Sequence, residues 1–151
     1  MASIIEKITV EIKNVEKTLD EINQYIIKPD ISKGDLRAAA SCLTDIYNGI
    51  ENILKQISED HRVPLPQSTQ WHKDLLNNAV KNSFISNELY IGLSEYRAFR
   101  HVFVHAYGFD LKKEEIVRLV LNAPALWAGF LSDVKKKYTL EANSSITPDE
   151  Q

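Results

Sequence analysis

The sequence predicts an all-α protein, an up-and-down bundle of four to five helices, on three observations. Apolar residues recur at steps of three and four along most of the chain. Glycine and proline are scarce, five of each in 151 residues, so long stretches carry no helix breaker. No alternation of period two marks a strand, and no internal repeat or glycine-rich phosphate loop interrupts the pattern.

The first helix is predicted from Ser3 to Ile27, with Ile4, Ile8, Ile12, Val15, Leu19, Ile22 and Ile26 forming one stripe. Lys28-Pro29-Asp30 ends it, because the residue before a proline is pushed out of the helical region and Pro29 has no N–H to donate. Ser32 is the expected N-cap of a second helix, with Asp35 three residues on, and the spacing from Leu36 to Ile57 carries it to Ser58. His61-Arg62-Val63-Pro64-Leu65-Pro66 must be extended. Ser68 or Thr69 then caps a shorter third helix bearing Trp71, Leu75, Leu76, Ala79 and Val80. A fourth opens at Ser86 and ends near Gly108, and a fifth, N-capped by Asp110, has a core face from Ile116 to Val134 with Pro124 as a kink.

One domain, residues 1–138, and a disordered C-terminal tail, 139–151, fit this length and the polar composition of the end. Cys42 is the only cysteine, which excludes a disulfide within the chain and a thiolate metal cluster and suits a reducing cytoplasm. The start of the chain is neither a secretory signal nor a membrane span, since acidic Glu6 falls among its first turns; a soluble, cytoplasmic protein with no membrane partner is expected. A formal charge of −3 argues against a protein that coats nucleic acid along its whole length. It leaves room for a local basic cleft, and Arg97, Arg100, His101, His105, Lys112, Lys113 and Arg118 crowd one stretch.

The fourth helix holds the candidate chemistry. With Arg97 set at zero and about 100° per residue, Phe99, Val102, Phe103 and Ala106 fall within about 140° to 240°, an arc expected to face the core. Arg100 falls near 300°, His101 near 40° and His105 near 80°, so two guanidiniums and two imidazoles are expected on the face turned away from it. Val104 and Tyr90 share that stripe, and apolar groups among cations suggest a cover, for which a second copy of the chain is the simplest candidate. Arg100 and His105 lie about 140° apart, too far round one helix to converge on one phosphate, whereas a two-fold dimer would bring both pairs to one cleft.

These residue types suit RNA cleavage without metal or cofactor. A histidine near neutrality can take the proton of a ribose 2′-hydroxyl or protonate the leaving 5′-oxygen. Arginine holds the phosphate and the charge that builds on it. A metal site fits poorly, because His101 and His105 offer two ligands with arginines beside them and no carboxylate on the stripe. The plainer reading of the same residues is a solvated or ion-paired helix face.

Arg100-His101-Val102-Phe103-Val104-His105-Ala106-Tyr107 resembles the R-x4-H-x-Y motif of HEPN-domain toxins (HepT-like ribonucleases) paired with minimal nucleotidyltransferase antitoxins. The likeness extends to Tyr47-Asn48-Gly49-Ile50-Glu51-Asn52-Ile53-Leu54 and Glu95-Tyr96-Arg97-Ala98-Phe99, and reaches to about Tyr138. It implies a dimerising HEPN bundle, with Arg100 and His105 as the catalytic pair of a ribonuclease acting on cellular RNA, tRNA being one candidate, in a type VII-like toxin–antitoxin system. It further implies that the antitoxin, using ATP, transfers AMP to Tyr107 and so blocks the cleft; the chain itself needs no cofactor. Arg97 and His101 take supporting roles in binding RNA phosphate. Two other readings stay open: a non-catalytic HEPN-like docking module for a nucleotidyltransferase, and a purely structural dimerising bundle. Elsewhere, Trp71 and Trp127 read as core, His61 and His72 as solvated, Cys42 as a small packed side chain and Lys135-Lys136-Lys137 as a solvated helix end.

Overall fold

The structure is a computed structural model, and it describes residues 2–105 and 110–140. These form five helices: α1 (Ile4–Ile22), α2 (Lys33–Asp60), α3 (Trp71–Lys81), α4 (Asn87–His105) and α5 (Lys113–Lys135). The fold is all-helical, as the periodicity requires.

The expected cap at Ser32 holds in full, and Ser3 caps α1 in the same way. Ser3 and Glu6, and again Ser32 and Asp35, exchange side-chain and backbone hydrogen bonds as reciprocal capping boxes at the starts of α1 and α2. Three boundaries differ from expectation. Helix α1 ends at Ile22 and tightens into a short 3-10 turn, Asn23–Tyr25, leaving Ile27 72% exposed with nothing to pack on. At α3 the N-cap position is Gln70, while Ser68 works from just outside, accepting from Gln70 N–H and donating to Asp74. At α5 the N-cap position is Lys112; Asp110 has a left-handed backbone (φ 61°), which a short polar side chain tolerates but which takes it out of capping geometry.

Helix α2 lies at the centre and touches all four others. It runs antiparallel to α1, with Asn52 donating to Glu11 (3.5 Å) and Gly49 set against Val15. It also runs antiparallel to α4, since Asn48 meets Arg100, while His61 just past the end of α2 packs on Phe84 just ahead of α4, ring centroids 5.1 Å apart. Helices α4 and α5 form the last antiparallel pair, tied by Tyr96 Oη–H donating to Leu119 O (2.6 Å) and Ser86 N–H donating to Asp133 (3.0 Å). The four long helices are thus up-and-down. The extended proline segment carries the chain back along α2, so that α3 starts beside Glu51 and runs parallel to α2.

The core is a continuous apolar cluster drawn from every helix, from Ile8, Ile12 and Val15 through Ile46, Ile50, Ile53 and Leu54 to Leu119, Trp127 and Phe130. Leu140 is buried in it and Tyr138 donates to Asp60 (2.6 Å), so packing continues past residue 138; residues 141–151 lie outside the described residues. Cys42 is buried, and burial followed by Glu21 and Asp45 pushes its thiol up to about 11, away from nucleophilic use at neutral pH. Trp127 is core, with its indole N–H donating to Glu16 (3.1 Å). No helix among the described residues is long and apolar enough to cross a membrane.

Gly49 sets how closely α1 approaches α2, because a Cβ there would collide with the Val15 side chain. Gly49→Ala is expected to destabilise the fold by up to about 2 kcal/mol in urea unfolding, the overpacking cost of about 1–3 kcal/mol being offset in part by the helix-propensity gain of about 1 kcal/mol. Adding Val15→Ala should recover much of the loss; an increase in stability from Gly49→Ala alone would show that α1 yields at that contact.

Candidate active site

The rotation of α4 decides where its polar residues point. Its buried side chains are Leu89, Leu93, Tyr96 and Phe99, with Phe103 half-buried. On the scale that sets Arg97 at zero, these centre near about 260°, roughly 70° round from the arc expected from Phe99, Val102, Phe103 and Ala106. Val102 is therefore 61% exposed, not core, and Ala106 lies outside the described residues. The physical reason is that Leu89, Leu93 and Tyr96 in the first turns dock α4 on α2 and α5 and fix its rotation for the whole length.

With that rotation the arginines and histidines are not equally turned to solvent. Arg97 and Arg100 are half-buried on the flank toward α2, whereas His101 and His105 are exposed. Arg100 Nε–H donates to Asn48 Oδ1 at 2.7 Å across the α2/α4 contact. That bond uses the inner edge of the planar guanidinium and leaves its Nη groups for an anion. Around it are residues that sequence reasoning left without a role. Tyr47 is 1% exposed, and its hydroxyl has no hydrogen bond of ordinary geometry among the described residues. Its acidity is driven far below normal by burial first and then by the neighbouring Glu51 carboxylate, with Arg97 and Arg100 pulling the other way. Glu51 is itself 2% exposed and accepts from His72 Nδ1–H at 2.7 Å.

His72 is thus a buried-carboxylate partner and not a solvated side chain. Its ring stacks on Trp71 at 3.6 Å, and Lys55 Nζ lies 4.3 Å from the Trp71 ring centre. Trp71 is accordingly half-buried at the edge of the bundle, a correction to its reading as core. One signal for Glu51 was present: it stands one turn after Tyr47 and one before Leu54, on the inward side of α2, where a carboxylate needs a partner.

On the outer face, His105 Nδ1 lies 2.8 Å from His101 O. A backbone carbonyl can only accept, so Nδ1 carries the proton and Nε2 of the neutral ring is the free, solvent-facing basic nitrogen. The His101 and His105 rings lie 4.3 Å apart, one turn along α4. Arg118 is engaged elsewhere, in an ion pair with Glu95 that holds the Glu95 carboxyl below its usual range. On α4 itself the basic group is Arg97, Arg100, His101 and His105, with exposed Val102 (61%) beside the histidines on the solvent side. Tyr107, the expected modification site, lies outside the described residues.

The chain matches a family model described as HepT-like protein over residues 38–139, more than half of its length and all of the site described above. No curated protein and no solved structure matches it.

The His105 geometry is open to a direct check. Long-range ¹H–¹⁵N correlation spectra of the free protein above neutral pH should show His105 as the Nδ1–H tautomer, the minority form of free histidine in water. An Nε2–H pattern would mean that the His101 carbonyl does not hold the ring.

Proposed function

The chain belongs to the HepT-like family, a family of HEPN-type toxins, and from that premise we propose that it is a metal-independent endoribonuclease whose reacting groups are Arg100 and His105. The observation that carries this reading is the way both side chains are held from behind with their reactive edges outward: Arg100 by Asn48 through Nε, and His105 by the His101 carbonyl through Nδ1.

In the proposed reaction, His105 Nε2 accepts the proton of a ribose 2′-hydroxyl as that oxygen attacks the adjacent phosphorus. The P–O5′ bond breaks, and the leaving oxygen takes a proton from a second imidazolium, giving a 2′,3′-cyclic phosphate and a 5′-hydroxyl end. The Arg100 guanidinium neutralises the charge that builds on the phosphoryl oxygens. A second copy of the chain supplies the second imidazolium as its own His105, in a two-fold arrangement about the outer face of α4. Exposed Val102 beside the histidines supports such a cover, and exposed Ile91 extends the apolar surface along α4 toward its start, since water is a poor neighbour for both. Arg97 and His101 support phosphate binding at the rim. A nucleotidyltransferase antitoxin neutralises the toxin by transferring AMP from ATP to Tyr107, two residues past His105, where the added negative charge competes with RNA for Arg100.

Unmodified protein incubated with total cellular RNA in excess EDTA is expected to give discrete fragments ending in 2′,3′-cyclic phosphate. His105→Ala should slow this by about 10²-fold or more, and Arg100→Ala by about 10²–10³-fold. RNA left intact by the unmodified protein would instead favour a non-catalytic docking module for a nucleotidyltransferase.

A further inference from the structure

Glu51 presents a problem that the proposed reaction does not use. A carboxylate 2% exposed in the middle of an apolar bundle is costly unless opposite charge and hydrogen bonds compensate it. His72 supplies one hydrogen bond to Oε2 at 2.7 Å, and His72 is itself only 27% exposed. Arg97 and Arg100 present the converse problem. They stand one turn apart on α4, both half-buried, so their like charges repel, and among the described residues neither forms an ion pair within 4 Å.

The helix register brings the two problems together. Helices α2 and α4 are antiparallel with Asn48 opposite Arg100, so one turn forward on α2 and one turn back on α4 set Glu51 at the level of Arg97. Tyr47 is buried one turn before Glu51 on α2, and its acidity is lowered by the charge of Glu51 and raised by that of both arginines. Polar groups are therefore aligned across three helices, with His72 on α3 bonded to Glu51 on α2, and Tyr47 and the arginine pair of α4 at the same level of the bundle.

We propose that Glu51 is the positioning residue of this site: its carboxylate, clamped by His72, holds the Arg97–Arg100 pair against α2 by charge, and so keeps Arg100 seated on Asn48 with its outer edge toward the anion. Arg97 is then the counter-ion of Glu51 as well as a rim contact, and the main phosphate contact falls to Arg100. The functional consequence rests on the nuclease reading; the seating of Arg100 does not. Asn48 fixes the direction of Arg100, Glu51 offsets the second positive charge that would otherwise drive it outward, and His72 keeps the carboxylate in place.

The test is Glu51→Gln, which removes the charge but keeps an oxygen that can accept from His72. Amide-region ¹H–¹⁵N spectra of the full chain report the Arg100 Nε–H group, assigned by its loss in Arg100→Lys. The seated guanidinium should give a protected Nε–H resonance in the parent protein, with exchange about tenfold faster in Glu51→Gln while the backbone spectrum is unchanged. His72→Asn, at a partly exposed position, should shift the same resonance in the same direction and serves if Glu51→Gln does not fold. Unchanged Nε–H exchange in every variant that folds would overturn the proposal. Cleavage assays on the same proteins keep the two ideas separate. Under the proposal KM for RNA rises about tenfold in Glu51→Gln, whereas no cleavage by the parent protein counts against the nuclease reading and leaves the resonance to decide the role of Glu51.

Discussion

A guanidinium at the edge of an apolar core must be satisfied by the fold, and the hydrogen bond from Arg100 to Asn48 does this across the contact between α2 and α4. Most of the site's geometry depends on it. The bond joins residues 52 positions apart, so it exists only when α2 and α4 pack in one register. The same register brings Glu51 level with Arg97, and it leaves His101 and His105 on the outer surface of α4. Side-chain chemistry that would be diffuse on an isolated helix becomes directional because the helix cannot rotate.

Helix α2 makes this possible by offering different chemistry on different sides within one short stretch. Gly49 admits α1 so closely that no Cβ fits, and Ile50, Ile53 and Leu54 fill the core behind it. Asn48 and Glu51 turn polar groups toward α4 and α3. Apolar packing of α1 against α2 therefore holds in place a helix whose other side carries a buried carboxylate and an amide, groups that would weaken a less tightly packed contact. Rigidity and polarity are separated by face, and the site draws on both.

Much of this was legible in the sequence because it is local. Steps of three and four give the helices, Ser32 with Asp35 announces the start of α2, and Cys42 beside Ala40 and Leu43 reads as packed. Arg100 and His105 could be singled out by residue type and spacing, with His101 one turn from His105. What failed was the rotation of α4. Phe99, Val102 and Phe103 suggested one core direction, but Leu89, Leu93 and Tyr96 set another, and a helix has only one. Partnerships between distant residues were likewise hidden: nothing in the stretch around His72 points to Glu51, twenty-one positions away, because the proline-bearing return that joins them has no periodicity to read. Ser68 and Asp110 show the same limit at small scale, since both are cap-forming residue types placed two residues before the N-cap position that the fold uses.

The proposed nuclease function requires Asn48 and Arg100 to act as one unit in holding RNA phosphate. A double-mutant cycle on the binding of a short single-stranded RNA, built from Asn48→Ala and Arg100→Ala in a background carrying His105→Ala to prevent cleavage, measures that directly. If the unit is real, removing Asn48 weakens binding about tenfold when Arg100 is present and has no further effect once Arg100 is gone. Equal losses in both backgrounds would contradict it, and would make the contact between α2 and α4 a matter of packing alone.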